Sequence, residues 1–314
     1  MMMEDKYLNI IRNVKSLSPL IFVMFLMIHQ KAKGGIEKPN KSIKNSNESE
    51  IAIQNNIIFH YDFSNLNSYN RQTTTENNKT INDLSGNNNY GTVRNISKVY
   101  FDSEQNAMFF NGKNDEDATG ISINNVNYVS GPSDQLESFT IQARIKAKSE
   151  STNHPSDERI ILSFDRSAVF RLAIGSDADN GAQGKIVFGF TNEDGSMTSY
   201  NPNQSIDLRD DQWHDIAVQF KSNTENGIKF FIDGDLIYSD PNSYKPIGGH
   251  NDNETPRYGN IGNGSEMESA TGITNPDNLF FGWIQSVKFS SFLEIDNDND
   301  GVLNSNDICP NTLQ

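Results

Sequence analysis

Near its C-terminal end the chain carries oxygen donors at a spacing that suits one hard cation. Asp296, Asp298 and Asp300 occupy positions one, three and five of a loop, Gly301 follows at the turn, and Asp307 stands at position twelve. Calcium takes about 6–8 oxygen ligands, and carboxylates alternating along a glycine-kinked loop converge on a single ion. The spacing predicts side-chain oxygens from Asp296, Asp298, Asp300 and Asp307, a backbone carbonyl from Val302, and a direct or water-mediated contact from Asn304. Calcium is therefore the cofactor that the sequence implies. Without a cation the four carboxylates repel one another, so the loop is expected to order only when the ion binds.

Other residue types that carry chemistry are present without a catalytic arrangement. His154, His214 and His250 show no metal-ligand spacing such as H-E-x-x-H, and there is no G-x-S-x-G elbow. His214 is read as structural, beside Trp213. The polar stretch 239–278 contains Tyr244, Asp252, Glu254 and Tyr258. Tyrosine rings can stack on sugar rings while carboxylates bond hydroxyls, so these four are candidate ligand-binding residues on a long loop, where recognition tends to sit. The competing reading is a solvated acidic loop with its tyrosines packed beneath it.

The elements that would hold such loops read as β-strands. Ile216, Val218 and Phe220 alternate with Ala217, Gln219 and Lys221, and after a polar turn Ile228, Phe230 and Ile232 alternate with Lys229, Phe231 and Asp233. That is period two on both sides of a turn. Asp233-Gly234 supplies the positive-φ chemistry of a second tight turn into a short strand at 236–238. Further strands are expected at 57–63, 99–102, 107–110, 120–123, 139–147, 159–164, 168–174, 185–190 and 280–289. Along 139–147, Phe139, Ile141, Ala143, Ile145 and Ala147 should face a core, with Thr140, Gln142, Arg144 and Lys146 facing water. Trp213, Phe220, Phe230 and Phe231 are expected in the core or in the packing of the hairpin.

Trp213-His214 opening a strand, then an aromatic strand ending in Ile232-Asp233-Gly234, resembles the laminin G-like, concanavalin A-like lectin/glucanase superfamily. Tyr61-Asp62-Phe63, the run from Asp83 to Asn88, Phe110-Asn111-Gly112, the strand 139–147 and Phe281-Gly282-Trp283-Ile284 follow in the same order. The resemblance covers 57–292 and implies an all-β fold, an antiparallel jelly-roll β-sandwich. It also implies a structural calcium near the first strand, for which Asp62, Asn65, Asp83 and Asn87 are available; in such turns these residue types also cap their own backbone. The C-terminal loop with its Cys309-Pro310 ending resembles a thrombospondin type 3 repeat, with Asn304 standing where that family has Asp. Such repeats come in arrays, and Cys309, the single cysteine, would pair within one. The expectation is a longer repeat-bearing protein, a free thiol, or an intermolecular disulfide through Cys309. Retaining glycosidases of the superfamily carry E-x-D-x-x-E on one strand and need two carboxylates across the scissile bond. Glu294-Ile295-Asp296 matches only in part and Asp296 is already read as a calcium ligand, so the chain is expected not to be an enzyme.

Composition sets the remaining bounds. The 314 residues carry a formal net charge of −15, which argues against nucleic acid and against docking on anionic lipid. Residues 1–33 read as an export signal: Lys6, Arg12 and Lys15 precede a short apolar run at 20–28 that is brief for a membrane span. A buried N-terminal helix is the alternative. Residues 34–56 form a polar linker, 57–292 the sandwich, and 293–314 the calcium repeat. The functional expectation is a secreted or cell-surface adhesion or carbohydrate-binding module whose partner is a glycan or an extracellular protein. A structural or protein-binding surface component comes next, and a hydrolase last.

Overall fold

In the computed structural model residues 57–291 are described, apart from 71–79, 114–119, 130–134, 155, 166–168, 179–181, 193, 203–205, 249–255 and 265–276. The proposed calcium loop, Cys309, the N-terminal segment, His250, Asp252 and Glu254 lie outside the described residues. The strands in chain order are β1 (Ile57–Asp62), β2 (Thr80–Ile81), β3 (Gly91–Arg94), β4 (Val99–Asp102), β5 (Ala107–Asn111), β6 (Gly120–Val129), β7 (Ser138–Ala147) and β8 (Arg159–Phe164). They continue with β9 (Phe170–Ile174), β10 (Ile186–Thr191), β11 (Met197–Tyr200), β12 (His214–Lys221), β13 (Ile228–Ile232), β14 (Asp235–Asp240), β15 (Pro256–Ile261) and β16 (Phe281–Ser290). The fold is all-β, with its strands paired antiparallel in two sheets that form the expected sandwich.

The first sheet runs β14-β13-β12-β7-β16-β5-β4, and the second β11-β10-β9-β8-β15-β6-β3-β2. Ten-residue β16 is long enough to serve two neighbours on one side. Its first half, Phe281 to Ile284, pairs with β5, and its second half, Ser286 to Ser290, pairs with β1. β7 flanks it along nearly its whole length on the other side.

Alternation along the strands decides what lies between the sheets. Phe139, Ile141, Ala143, Ile145 and Ala147 are all buried, as are Ile216, Val218, Phe220, Ile228, Phe230 and Ile232. Phe139 stacks on Phe170 of the opposite sheet and on Phe220 beside it, with ring centroids 5.4 and 5.3 Å apart, and Phe289 meets Phe139, Phe164 and Phe170. Burying a side chain of this size contributes about 1.5–3 kcal/mol. The two-residue turn has Asp233 at φ 55° and Gly234 at φ 95°, both in the left-handed region, so its twist matches the flanking strands.

Three expectations are corrected. Thr140, expected to face water, is 1% exposed: it points away from the core, but in a row with Ser290 and Gln219, which are also buried, so parity fixed its direction and not its exposure. Trp213 is half-buried beneath Arg144 on the outer face of the sheet, whereas Phe231 is buried against Ala217 in the packing of the hairpin, as expected. The polar stretch 239–278 is not one connection, because β15 inserts between β6 and β8 in the second sheet. Its sequence hides the strand. Gly259 faces the core where Phe164 and Ile123 leave no room, an added Cβ lying 2.6 and 2.7 Å from them, and outward Asn260 is a buried amide.

Candidate functional site

Strand pairing turns sequence parity into rows of side chains on the outer face of the first sheet. One row runs Tyr100 (β4), Phe109 (β5), Trp283 (β16) and Lys146 (β7), each opposite the next. Neighbouring strands lie about 4.8 Å apart, so the aromatic members form a continuous strip. Ring centroids are 5.3 Å apart for Tyr100 and Phe109 and 5.0 Å for Phe109 and Trp283. Tyr100 is 46% exposed, and Phe109 and Trp283 are half-buried. The Trp283 indole Nε1 donates to Asp102 Oδ2 at 2.9 Å, while the ammonium groups of Lys146 and Lys148 lie 5.3 and 4.9 Å from its ring. A hydrogen bond at the edge and cations at the face hold the indole in one orientation.

Asp102 stays ionised in this setting. Burial pushes its carboxyl up, but the Trp283 hydrogen bond, the backbone N–H groups of Gln105 and Glu104 and the charge of Lys146 together hold it below the ordinary value.

The next rows form a hollow beside the strip. Asp62, Ser286, Arg144 and Asp215 stand opposite one another on β1, β16, β7 and β12, and two residues further along come His60, Lys288, Gln142, Ala217 and, on β13, Phe231. Side chains of both rows line a hollow of about 210 Å³, with His60, Arg144 and Lys288 among them. Arg144 pairs with Asp215 and lies 5.5 Å from the Trp213 ring. At two residues per step, about 6.6 Å along a strand, strip and hollow are contiguous.

Of the ligand-binding residues expected from sequence, the two that are described, Tyr244 and Tyr258, are placed elsewhere. Tyr244 packs edge-on against Phe190 and Tyr200, both at 5.5 Å, and donates its hydroxyl to Asp240 Oδ2 at 3.1 Å; burial raises its pKa. Tyr258 lies within β15 opposite Asn127 rather than on a loop. Near the first strand, Asp62 Oδ1 accepts from Ser64 and Asn65 Oδ1 from the Asn67 backbone. Asp83 accepts from the His60, Ser85 and Asn89 backbones, and Asn87 donates to the Ile57 carbonyl. The bonds to Ser64, Asn67 and Ser85 are the local caps that Asp and Asn make in turns, while those to His60 and Ile57 tie the 83–89 turn to β1. Among the described residues no three His, Cys, Asp or Glu side chains are grouped to hold a metal. His214 bridges Asp233, 2.8 Å from Nδ1, and Asp210, 3.3 Å from Nε2, tying the hairpin turn to the preceding loop.

Sequence reasoning passed over the strip because its members have apolar neighbours in sequence that mask the outward parity. Phe109 stands between Met108 and Phe110, and Trp283 beside Ile284. The available signal was an aromatic residue at the outward parity of three strands, visible only once their pairing is known.

Residues 115–272 match the model of the concanavalin A-like lectin/glucanases superfamily. The chain belongs to that superfamily. No curated protein matches it. Among solved structures, the binding domain of Paraclostridial Mosquitocidal Protein 1 is 15% identical with a TM-score of 0.48, over 76% of this chain and 50% of that one. The binding domain of Botulinum neurotoxin DC, solved in complex with rat synaptotagmin II, is 14% identical with a TM-score of 0.48, over 83% and 52%. Trypanosoma rangeli sialidase in complex with sialic acid is 9% identical with a TM-score of 0.41, over 76% and 31%. The chain thus spans about half the length of the first two.

Proposed function

We propose that this superfamily member is an exported, non-catalytic glycan-binding module that seats a saccharide on the strip of Tyr100, Phe109 and Trp283, with a calcium-ordered loop at 293–314. The strip is the observation that carries the reading. The C–H face of a pyranose is apolar and fits the electron-rich face of an aromatic ring, and an aromatic row in register across strands offers several such faces at once. The carboxylate beside it suits holding rather than proton transfer. Asp102 is committed to Trp283 and kept ionised, whereas glycoside hydrolysis needs one carboxyl that stays protonated.

Titration of soluble polysaccharides into the full chain tests this. Trp283→Ala should weaken binding about 30-fold, as for a central anchor worth about 2 kcal/mol. Tyr100→Ala, at an exposed position that the core does not depend on, should weaken it in the same sense. Undiminished binding in both variants places the ligand elsewhere, and release of reducing sugar would overturn the non-catalytic reading.

A further inference from the structure

The hollow beside the strip has a composition at odds with the rest of the chain. The protein carries a net charge of −15, yet the described residues lining the hollow set His60, Arg144 and Lys288 against one carboxylate, Asp215, with Asp62 next to Ser286 in the same row, and Gln142 and Ser286 add neutral hydrogen-bonding groups. Arg144 gives Nη1 to Asp215. A guanidinium carries five donors in a fixed fork, so this pairing leaves Nε and Nη2 of the same group for a second acceptor. Phe231 and Ala217 form the apolar wall on the far side.

Resting on the strip as a saccharide platform, we propose that the hollow selects an acidic sugar, receiving the carboxylate of a uronate-type residue next to the rings stacked on Tyr100, Phe109 and Trp283. The volume of about 210 Å³ is below the range of about 300–1,000 Å³ that encloses a drug-sized ligand. It accepts one ring with its charged substituent, while the remainder of the polymer continues over the strip. Arg144 supplies directional hydrogen bonds to the anion, and Lys288 and His60 close the other side from β16 and β1. The negative charge of the chain as a whole repels polyanions at long range, so binding through indiscriminate charge attraction is disfavoured and what remains comes from this local arrangement. A sulfate ester has related chemistry, since the guanidinium fork bonds tetrahedral oxyanions bidentately as it does carboxylates, and the sulfated arm of the test separates the two.

The test compares polygalacturonate, its fully methyl-esterified form and a sulfated neutral polysaccharide on the full chain, for wild type, Arg144→Gln, Lys288→Gln and Trp283→Ala. The expected result is that wild type binds polygalacturonate about tenfold or more tighter than the ester, the scale of a hydrogen bond to a charged group. Arg144→Gln and Lys288→Gln should bring the two affinities together by weakening polygalacturonate more than the ester. If acid and ester bind equally and Trp283→Ala weakens both, the platform stands and the acidic selectivity is overturned. A preference for the sulfated polymer over polygalacturonate overturns the choice of carboxylate. If no polymer binds, or Trp283→Ala changes nothing, the platform itself fails and this inference falls with it.

Discussion

Arg159 and Arg144 allow the value of burial to be measured within one domain. Arg159 is 1% exposed and donates to the carbonyls of Lys148 and Glu150 and to both carboxylate oxygens of Asp177, which Arg209 also bonds. Burial lowers its pKa, and the charge of Asp177 opposes that shift. Arg159→Met keeps an unbranched apolar stem and removes the guanidinium with its charge. Breaking a buried pair from one side costs about 3–5 kcal/mol. Because Arg209 still neutralises Asp177, the low end, about 3 kcal/mol, applies to the pair, and the carbonyls that lose their donor add roughly 1 kcal/mol. The total, about 4 kcal/mol, corresponds to a fall in Tm of about 8–16 °C for domains of about 150–250 residues. Arg144 pairs with Asp215 at side-chain exposures of 37% and 48%, and exposed pairs contribute about 0–1 kcal/mol. Arg144→Met should therefore shift Tm by no more than about 4 °C. Thermal and urea unfolding of the two variants, with m unchanged, decide the matter. Equal shifts, or a shift below about 3 °C for Arg159→Met, would refute the claim that this buried cluster holds the segments after β7 and β9 together.

Asp207 gives an acid-limb prediction. The Arg209 hydrogen bond, opposed by burial, holds its carboxyl below the ordinary value. Its contribution is fully present above the unfolded pKa of about 3.9 and is lost as pH falls through the lower folded value. The gap in urea midpoint between wild type and Asp207→Asn should stay constant above about pH 5 and narrow below about pH 4; a gap unchanged down to acid pH counts against the pairing. At the other end of the chain, replacing Asp298 and Asp300 with Ala should remove calcium uptake while leaving the unfolding transition of the sandwich in place. Equal calcium stoichiometry in wild type and double variant would show that the proposed loop site does not exist.

The core was readable from sequence because period two is a local signal: the hairpin from Ile216 to Ile232 and the strand from Phe139 to Ala147 each declared an inward face. β15 was not, because the space its inward position would fill is taken by Phe164 and Ile123, so that position is Gly259 and no apolar alternation is left to see. Isolated tyrosines among polar residues drew attention to a binding loop, but Tyr244 gives its ring to Phe190 and Tyr200. The strip on the first sheet escaped notice for the opposite reason. Its aromatic residues come from segments more than 170 residues apart in the chain, and only the register of β4, β5 and β16 aligns them.

The division of β16 between two partners has a mechanical consequence. Ile57 opens β1 directly opposite Ser290 at the close of β16, so the start of the first strand and the end of the last lie side by side. Tension applied between them acts on one end of an antiparallel ladder and peels it rung by rung, whereas a shearing pull would load every rung together. β1 comes away first, and with it His60 and Asp62, while the pairing of β16 with β5 and β7 still holds Tyr100, Phe109 and Trp283 in line. On the proposed roles of strip and hollow, a domain loaded at these two ends would lose its discrimination between acidic and neutral saccharides before it lost its grip on them.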